Sequence, residues 1–184
     1  MAKHVICDVK QRLICILGQI KPITATLVEN ALRELIKSHR SRPINVFIEN
    51  DRGGDAYASL RIFQIIKNSD LDINTIASGI VFSGSFLVLQ AGKKRFLIEG
   101  STPVFHMAED FLFRHESFNA KRYMESAWSL LLIDAHQFLI FTERGRPVSE
   151  IAKLFRRNAK ISAQQALELH LIDSILPKNK IPKI

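Results

Sequence analysis

Three short apolar runs follow one another down the first half of the chain: RLICILG at 12–18, INVFIE at 44–49 and DINTIASGI at 72–80. A stretch of helical periodicity separates each from the next, and this alternation constrains the fold more than any other feature. Short runs rich in Ile, Val and Leu, bounded by glycine or proline, are buried strands. After the first run, Leu27, Val28, Ala31, Leu32, Leu35 and Ile36 share one helical face, with Thr24 or Thr26 placed to cap it and Pro43 barring helix beyond it. After the second, Gly53-Gly54 opens a helix carrying Leu60, Ile62, Phe63, Ile65 and Ile66. After the third, a helix begins at Ser83. Residues 94–99 and 102–106 read as further strands, 148–157 and 162–169 as helices, and 172–176 as a last strand. Strand–helix–strand units make a mostly parallel sheet with right-handed crossovers, so the expected class is α/β, built from repeated βαβ units.

The second half contains one long helical pattern, 118–143, whose middle from Trp128 to Phe141 is apolar nearly all round. Such a helix has to be covered on more than one side, and a second copy of the chain is the expected cover. With 184 residues, 47% hydrophobic and 24% charged, the composition fits one globular domain with a sizeable core. The formal net charge is +8, but the cations are scattered. The clusters Lys93-Lys94-Arg95, Arg156-Arg157 and Lys178/Lys180/Lys183 have no aromatics interleaved, so they predict solubility and no nucleic-acid binding. Cys7 and Cys15 have neither disulfide-framework nor metal-ligand spacing, so no metal is expected. The first residues, MAKHVICDVKQ, lack a signal-peptide pattern, and no run is long enough to span a bilayer. A reducing, cytoplasmic setting without membrane attachment is the expectation.

Chemistry is expected at two strand-to-helix turns, Gly53-Gly54 and Ser83-Gly84. In a parallel sheet both lie at the carboxyl edge of the strands, where ligands bind. Glycine allows close backbone approach, and amides at helix N-termini favour negative charge. A serine in that position can be a nucleophile or merely a helix cap. His106 closes the run STPVFH near the same edge, as a general base or a structural imidazole. Ser85 is the rival nucleophile, but it lies about 200° around the helix from Ser83 at 100° per residue. A serine–lysine pairing would need Lys93 or Lys94, which are expected to face solvent.

In this order, these segments resemble the proteolytic subunit of the caseinolytic (Clp) protease, the ClpP family. RLICILGQI is similar to the family's opening strand, and VFIENDRGGDAYASLRIFQII to its glycine-pair segment and following helix. TIASGIVFSGSFLVLQAGKKRF is similar to its serine segment, STPVFHMAED to its histidine segment, and AKISAQQALELHLIDSIL to its C-terminal segment. The resemblance implies a ClpP/crotonase-like fold: a head of about 12–106 and 145–176, a protruding handle of about 107–144, a short N-terminal segment 1–11 and a basic tail 177–184. It implies Ser83 as nucleophile, His106 as general base, and the Gly54 and Gly84 amides as oxyanion hole. The family's third residue is an aspartate, and Asn158 stands there. An asparagine accepts a hydrogen bond but brings no charge, and in a trypsin-type triad the Asp-to-Asn change lowers turnover by roughly 10⁴. The enzyme implied is therefore slow or conditionally assembled. Arg52 replaces the family's proline before the glycine pair. Phe82 and Phe86 replace small residues around the serine and are expected to shape the substrate pocket.

The resemblance also implies a serine endopeptidase working inside a ring chamber, heptamer or tetradecamer. Its substrates would be peptides or unfolded proteins. It would hold no cofactor of its own, and ATP would be used only by an AAA+ unfoldase partner. Two alternatives stand beside this. One is a weak or inactive structural subunit in a mixed ring with an active ClpP paralogue. The other is a crotonase-fold acyl-thioester enzyme, for which Asp51 or Asp55 would be the site carboxylate. Phe111 and Phe113 alternate as in a handle strand.

Overall fold

The computed structural model describes residues 4–38, 41–49, 53–109 and 120–182. In chain order the elements are β1 (Val5–Asp8), β2 (Leu13–Leu17), α1 (Pro22–Ser38), β3 (Ile44–Glu49), α2 (Ala56–Lys67), β4 (Ile73–Ser78), β5 (Ile80–Phe82), α3 (Gly84–Leu89), β6 (Arg95–Ile98), β7 (Thr102–Val104), α4 (Ala120–Arg144), α5 (Val148–Arg156), α6 (Ala163–Glu168) and β8 (Ser174–Leu176). The proposed handle strand at Phe111 and Phe113 lies outside the described residues.

The alternation of apolar runs builds a six-stranded sheet in the order β1-β2-β3-β4-β6-β8. Every neighbouring pair is parallel except β1 with β2. Ile14, Ile16, Val46, Ile48, Ile73, Ala77 and Leu97 enter one core with the apolar faces of the helices, while Leu13, Cys15, Phe47, Ile76 and Ile98 form a smaller cluster on the opposite face. Burying each Ile or Leu contributes about 1.5–3 kcal/mol, so the sheet is held chiefly by its aliphatic strands.

Several local expectations change. β1 was not anticipated; it pairs Ile6 with Cys15 and Cys7 with Ile14. This register puts the two cysteines on opposite sheet faces, and burial pushes the Cys15 thiol up to about 11. Neither threonine caps α1. The helix starts at Pro22, whose fixed φ suits the first helical position, and Thr24 Oγ1 accepts the Lys21 N–H at 3.0 Å. Leu27 is 36% exposed, because the buried stripe runs through Ala25, Val28, Ala31, Leu32 and Leu35.

The run read as one strand at 72–80 is two. Gly79 turns at φ +76°, and beyond it β5 leaves the main sheet to pair in parallel with β7, Phe82 opposite Val104. That break carries the serine turn out to the histidine. α4 is exposed along much of its apolar surface: Trp128 is 63% exposed, Leu131 and Leu132 58%, and Leu139 66%. Its buried residues are Ile133, Gln137 and Phe141. Phe141 joins Phe86, Phe105 and Phe155 in a ring cluster with centroids 4.6–5.4 Å apart, tying α3, α4 and α5 together. No described helix is long and apolar enough to cross a membrane.

Candidate active site

Ser83 sits between β5 and α3 at φ 55°, ψ −125°. A non-glycine residue there costs about 1–3 kcal/mol, and such strain persists only where the surroundings impose it. The cap explanation fails, since Ser83 occupies the N-cap position but its side chain makes no capping hydrogen bond. Ser85 is buried, and its Oγ donates to the Phe82 carbonyl at 2.6 Å. Of the two hydroxyls, therefore, Ser83 is the one at the turn.

The glycine pair lies directly against this serine. A Cβ on Gly53 would stand 2.4 Å from Ser83 Cβ and 3.1 Å from its Oγ. Gly53 and Gly54 both have positive φ, 65° and 149°, which side-chain-bearing residues resist. Gly54 is bridged to Ile20: the Ile20 N–H donates to the Gly53 carbonyl, and the Asp55 N–H to the Ile20 carbonyl, each at 2.9 Å. This bridge leaves the Gly54 N–H unused. Gly84 packs so tightly on Ser59 that a Cβ would fall 2.1 Å from the Ser59 Oγ. As the first residue of α3, its N–H has no acceptor within the helix. Neither the Gly54 nor the Gly84 N–H donates a hydrogen bond among the described residues.

His106 follows β7 by two residues, so the β5–β7 pairing carries it to the same edge as Ser83. Its ring stacks on Phe82, centroids 4.4 Å apart and 9° from parallel. Burial lowers its pKa below the usual imidazole value, while the Glu109 carboxylate, the Met107 backbone and Asp134 pull the other way. The Nε2 atom is buried without a hydrogen-bond partner, so it does not bond the Ser83 hydroxyl in this arrangement. Unliganded catalytic hydrogen bonds are commonly long and tighten when substrate binds.

Asn158 has φ 47° and belongs to a segment laid beside β7, where the Phe105 N–H donates to the Ala159 carbonyl at 2.8 Å. Its Oδ1 accepts the Met107 N–H at 3.2 Å. The asparagine thus reaches the residue next to His106, but its oxygen holds the backbone instead of the imidazole. Asp134, on α4, is the residue that sequence reasoning missed. Its Oδ1 accepts the Ala108 N–H at 2.7 Å. The available signal was weak: in WSLLLIDAHQFLIF, Asp134 is the one carboxylate among several polar interruptions that include His136 and Gln137.

Of the two expected pocket residues, Phe82 is half-buried against His106, while Phe86 is 1% exposed within the core ring cluster. Lys93 and Lys94 are exposed. Asp55 uses its carboxylate as the N-cap of α2, accepting the Ala58 N–H at 2.7 Å. Asp51 and Arg52 lie outside the described residues. Two cavities, of about 340 and 360 Å³, are lined by the Leu71–Gly92–Arg144 region and the β1–β2 hairpin, and neither includes Ser83 or His106.

A family model described as Clp protease matches residues 3–179. The ATP-dependent Clp protease proteolytic subunit of Porphyromonas gingivalis (strain ATCC BAA-308 / W83) is 27% identical over 172 residues, spanning 92% of this chain and 75% of that protein. The ATP-dependent Clp protease proteolytic subunit 3, chloroplastic, of Arabidopsis thaliana is 27% identical over 174 residues, spanning 93% of this chain and 55% of that protein.

Proposed function

The chain belongs to the Clp protease family, and from that membership we propose that it is a peptidase subunit whose nucleophile is Ser83. The observation that carries this reading is the Ser83 backbone: a strained, uncapped serine against a glycine pair, at the end of a strand whose neighbour ends in His106. In the reaction proposed, Ser83 Oγ attacks the peptide carbonyl and its proton passes to His106 Nε2. The Gly54 and Gly84 amides hold the oxyanion, where preorganised donors act most strongly. His106 then protonates the leaving amine, and water hydrolyses the acyl-enzyme. For this the imidazole has to shift off Phe82 far enough for Nε2 to meet the hydroxyl. Phe82 is the aromatic wall that an incoming substrate side chain would contact.

The exposed apolar side of α4 supports self-assembly into rings, with the peptidase sites enclosed. Within such an assembly the subunit would cut peptides unaided, and would cut proteins when an AAA+ unfoldase spends ATP to feed them in. No cofactor enters these steps. A reducing compartment such as the cytoplasm suits the two free cysteines. Fluorophosphonate labelling tests the reading. The assembled protein is expected to label, and Ser83→Ala to abolish labelling. A folded, assembled protein that does not label would overturn it.

A second reading has its own observation. Asn158 is bonded to the Met107 backbone and His106 Nε2 is unpartnered, so the three side chains do not form a hydrogen-bonded relay in the single chain, which supports a structural subunit in a mixed ring. Co-expression with a full-triad paralogue distinguishes the two, since recovery of homomeric rings alone would speak against it. The thioester-enzyme reading loses one of its two candidates, because the Asp55 carboxylate is committed to capping α2.

A further inference from the structure

The two backbone amides after His106 are held by two side chains from different parts of the fold. The Met107 N–H donates to Asn158 Oδ1 at 3.2 Å, and the Ala108 N–H to Asp134 Oδ1 at 2.7 Å. The first partner is neutral; the second is a carboxylate. On α4, Asp134 is followed at three, four and seven residues by Gln137, Phe138 and Phe141, so it lies on the stripe turned toward the rest of the molecule. Two of those three residues are buried and Phe138 is half-buried. An aliphatic side chain would serve the packing there at lower cost, since a half-buried carboxylate loses solvation unless charge or hydrogen bonds offset the loss. The Ala108 amide satisfies one of its oxygens. A positive charge on the adjacent imidazole would supply the rest.

We propose that Asp134, and not Asn158, supplies the negative charge beside His106, so that helix α4 carries the electrostatic part of the triad while Asn158 only positions the backbone. This rests on the peptidase reading above. When the Ser83 proton moves to Nε2, the imidazolium that forms is stabilised by an anion held on the neighbouring backbone amide. Asp134 does not take the proton; it acts through His106 and is a positioning residue. Burial raises the Asp134 pKa above the usual carboxylate value, while the Ala108 amide and, less strongly, His106 pull it back down; each of the two charges favours the charged form of the other. The other carboxylate acting on His106 is Glu109, on its own segment, and Lys160, two residues beyond Asn158, is bridged to Val104 of β7. In the single chain Glu109 raises the His106 pKa more than Asp134 does, but Glu109 is exposed, so water and salt screen its charge, whereas Asp134 is half-buried.

The test uses the full assembled chain. The pH midpoint of His106 is read from exchange of its imidazole C2 proton by mass spectrometry, beside the rate of fluorophosphonate labelling at Ser83. Asp134→Asn is expected to lower the His106 midpoint and slow labelling by on the order of tenfold. Glu109→Gln and Asn158→Ala are expected to move the midpoint less. An unmoved midpoint in a folded Asp134→Asn protein would overturn the proposal, as would an equal or larger shift in either comparison variant. If Asp134→Asn does not fold, Asn158→Asp decides. With a charge already supplied by Asp134, the gain in labelling rate falls well short of the roughly 10⁴ separating aspartate from asparagine in a trypsin-type triad. A gain of that full size would mean no anion was serving the imidazole. If the natural protein fails to label at all, the peptidase reading falls, while the C2 exchange still reports whether Asp134 acts on His106.

Discussion

The two halves of the site are built differently. On the serine side, position is set by backbone. Gly53 and Gly54 have positive φ, Ile20 bridges Gly54, Gly84 is pressed on Ser59, and Ser83 is held in a strained conformation. These constraints come from α2, α3, β5 and the Ile20 segment, all packed on the main core. On the histidine side, position is set by side chains. Phe82 stacks on the ring, and Asn158 and Asp134 hold the two amides after it. One of those holders stands on a helix whose apolar surface is largely open in the single chain. A backbone-built half is complete in one subunit, whereas a half that leans on α4 depends on whatever covers α4.

The largest effect is expected at Gly54. In Gly54→Ala the new methyl would overlap the Ile20 carbonyl and leave a side chain at φ 149°, so the serine side should collapse. Loss of Ser83 labelling with a thermal midpoint lowered by several degrees is the outcome, read by denaturation and labelling together; natural labelling in this variant would mean the glycine pair does not position the serine. Next comes the double substitution Trp128→Glu with Leu131→Glu, on the exposed side of α4. Secondary structure should survive by circular dichroism, while sedimentation should show assembly lost and labelling greatly slowed. Persistent rings would break the link between α4 and the histidine side.

Ser83→Gly should remove the hydroxyl proposed as nucleophile and, with it, backbone strain. Stability should rise by about 1 kcal/mol, a trade commonly found where a strained residue does chemistry. A fall in the unfolding midpoint would contradict the strain assigned to this turn. The smallest effect concerns pH. Because burial lowers the His106 pKa in the folded state, the unfolded chain binds this proton first as pH falls. The contribution to stability is therefore fully present above the unfolded value of about 6.5 and declines as pH falls from there through the folded pKa. His106→Gln should flatten that decline in denaturant titrations, and an unchanged slope would argue that His106 is not buried as described.

Much of the fold was legible in the sequence because burial periodicity is local. The runs at 12–18, 44–49 and 94–99 and the helices between them are where side-chain spacing puts them. β1 was missed because VICD is short and its partner is what makes it a strand. The split at Gly79 was missed because DINTIASGI reads as one strand-like run, and only pairing with β7 draws the second part away. The site divided along the same line. Ser83 and the glycines could be found because turn chemistry marks them within a few residues. Asp134 could not be placed, since periodicity puts a residue on a helix face without saying which loop that face meets.

By itself, the sequence determined the α/β class, the turn that carries Ser83, the edge that receives His106 and the excess apolar surface of α4. These follow from short-range spacing, which the chain carries wherever it goes. Only the tertiary structure decided that the serine hydroxyl is not a cap, that Phe86 belongs to the core ring cluster, and which polar side chains reach the segment after His106. Those outcomes depend on contacts between residues far apart in sequence, with Met107 meeting Asn158 and Ala108 meeting Asp134. A hydrogen bond made across such a separation is settled by distance in space, which no local pattern encodes.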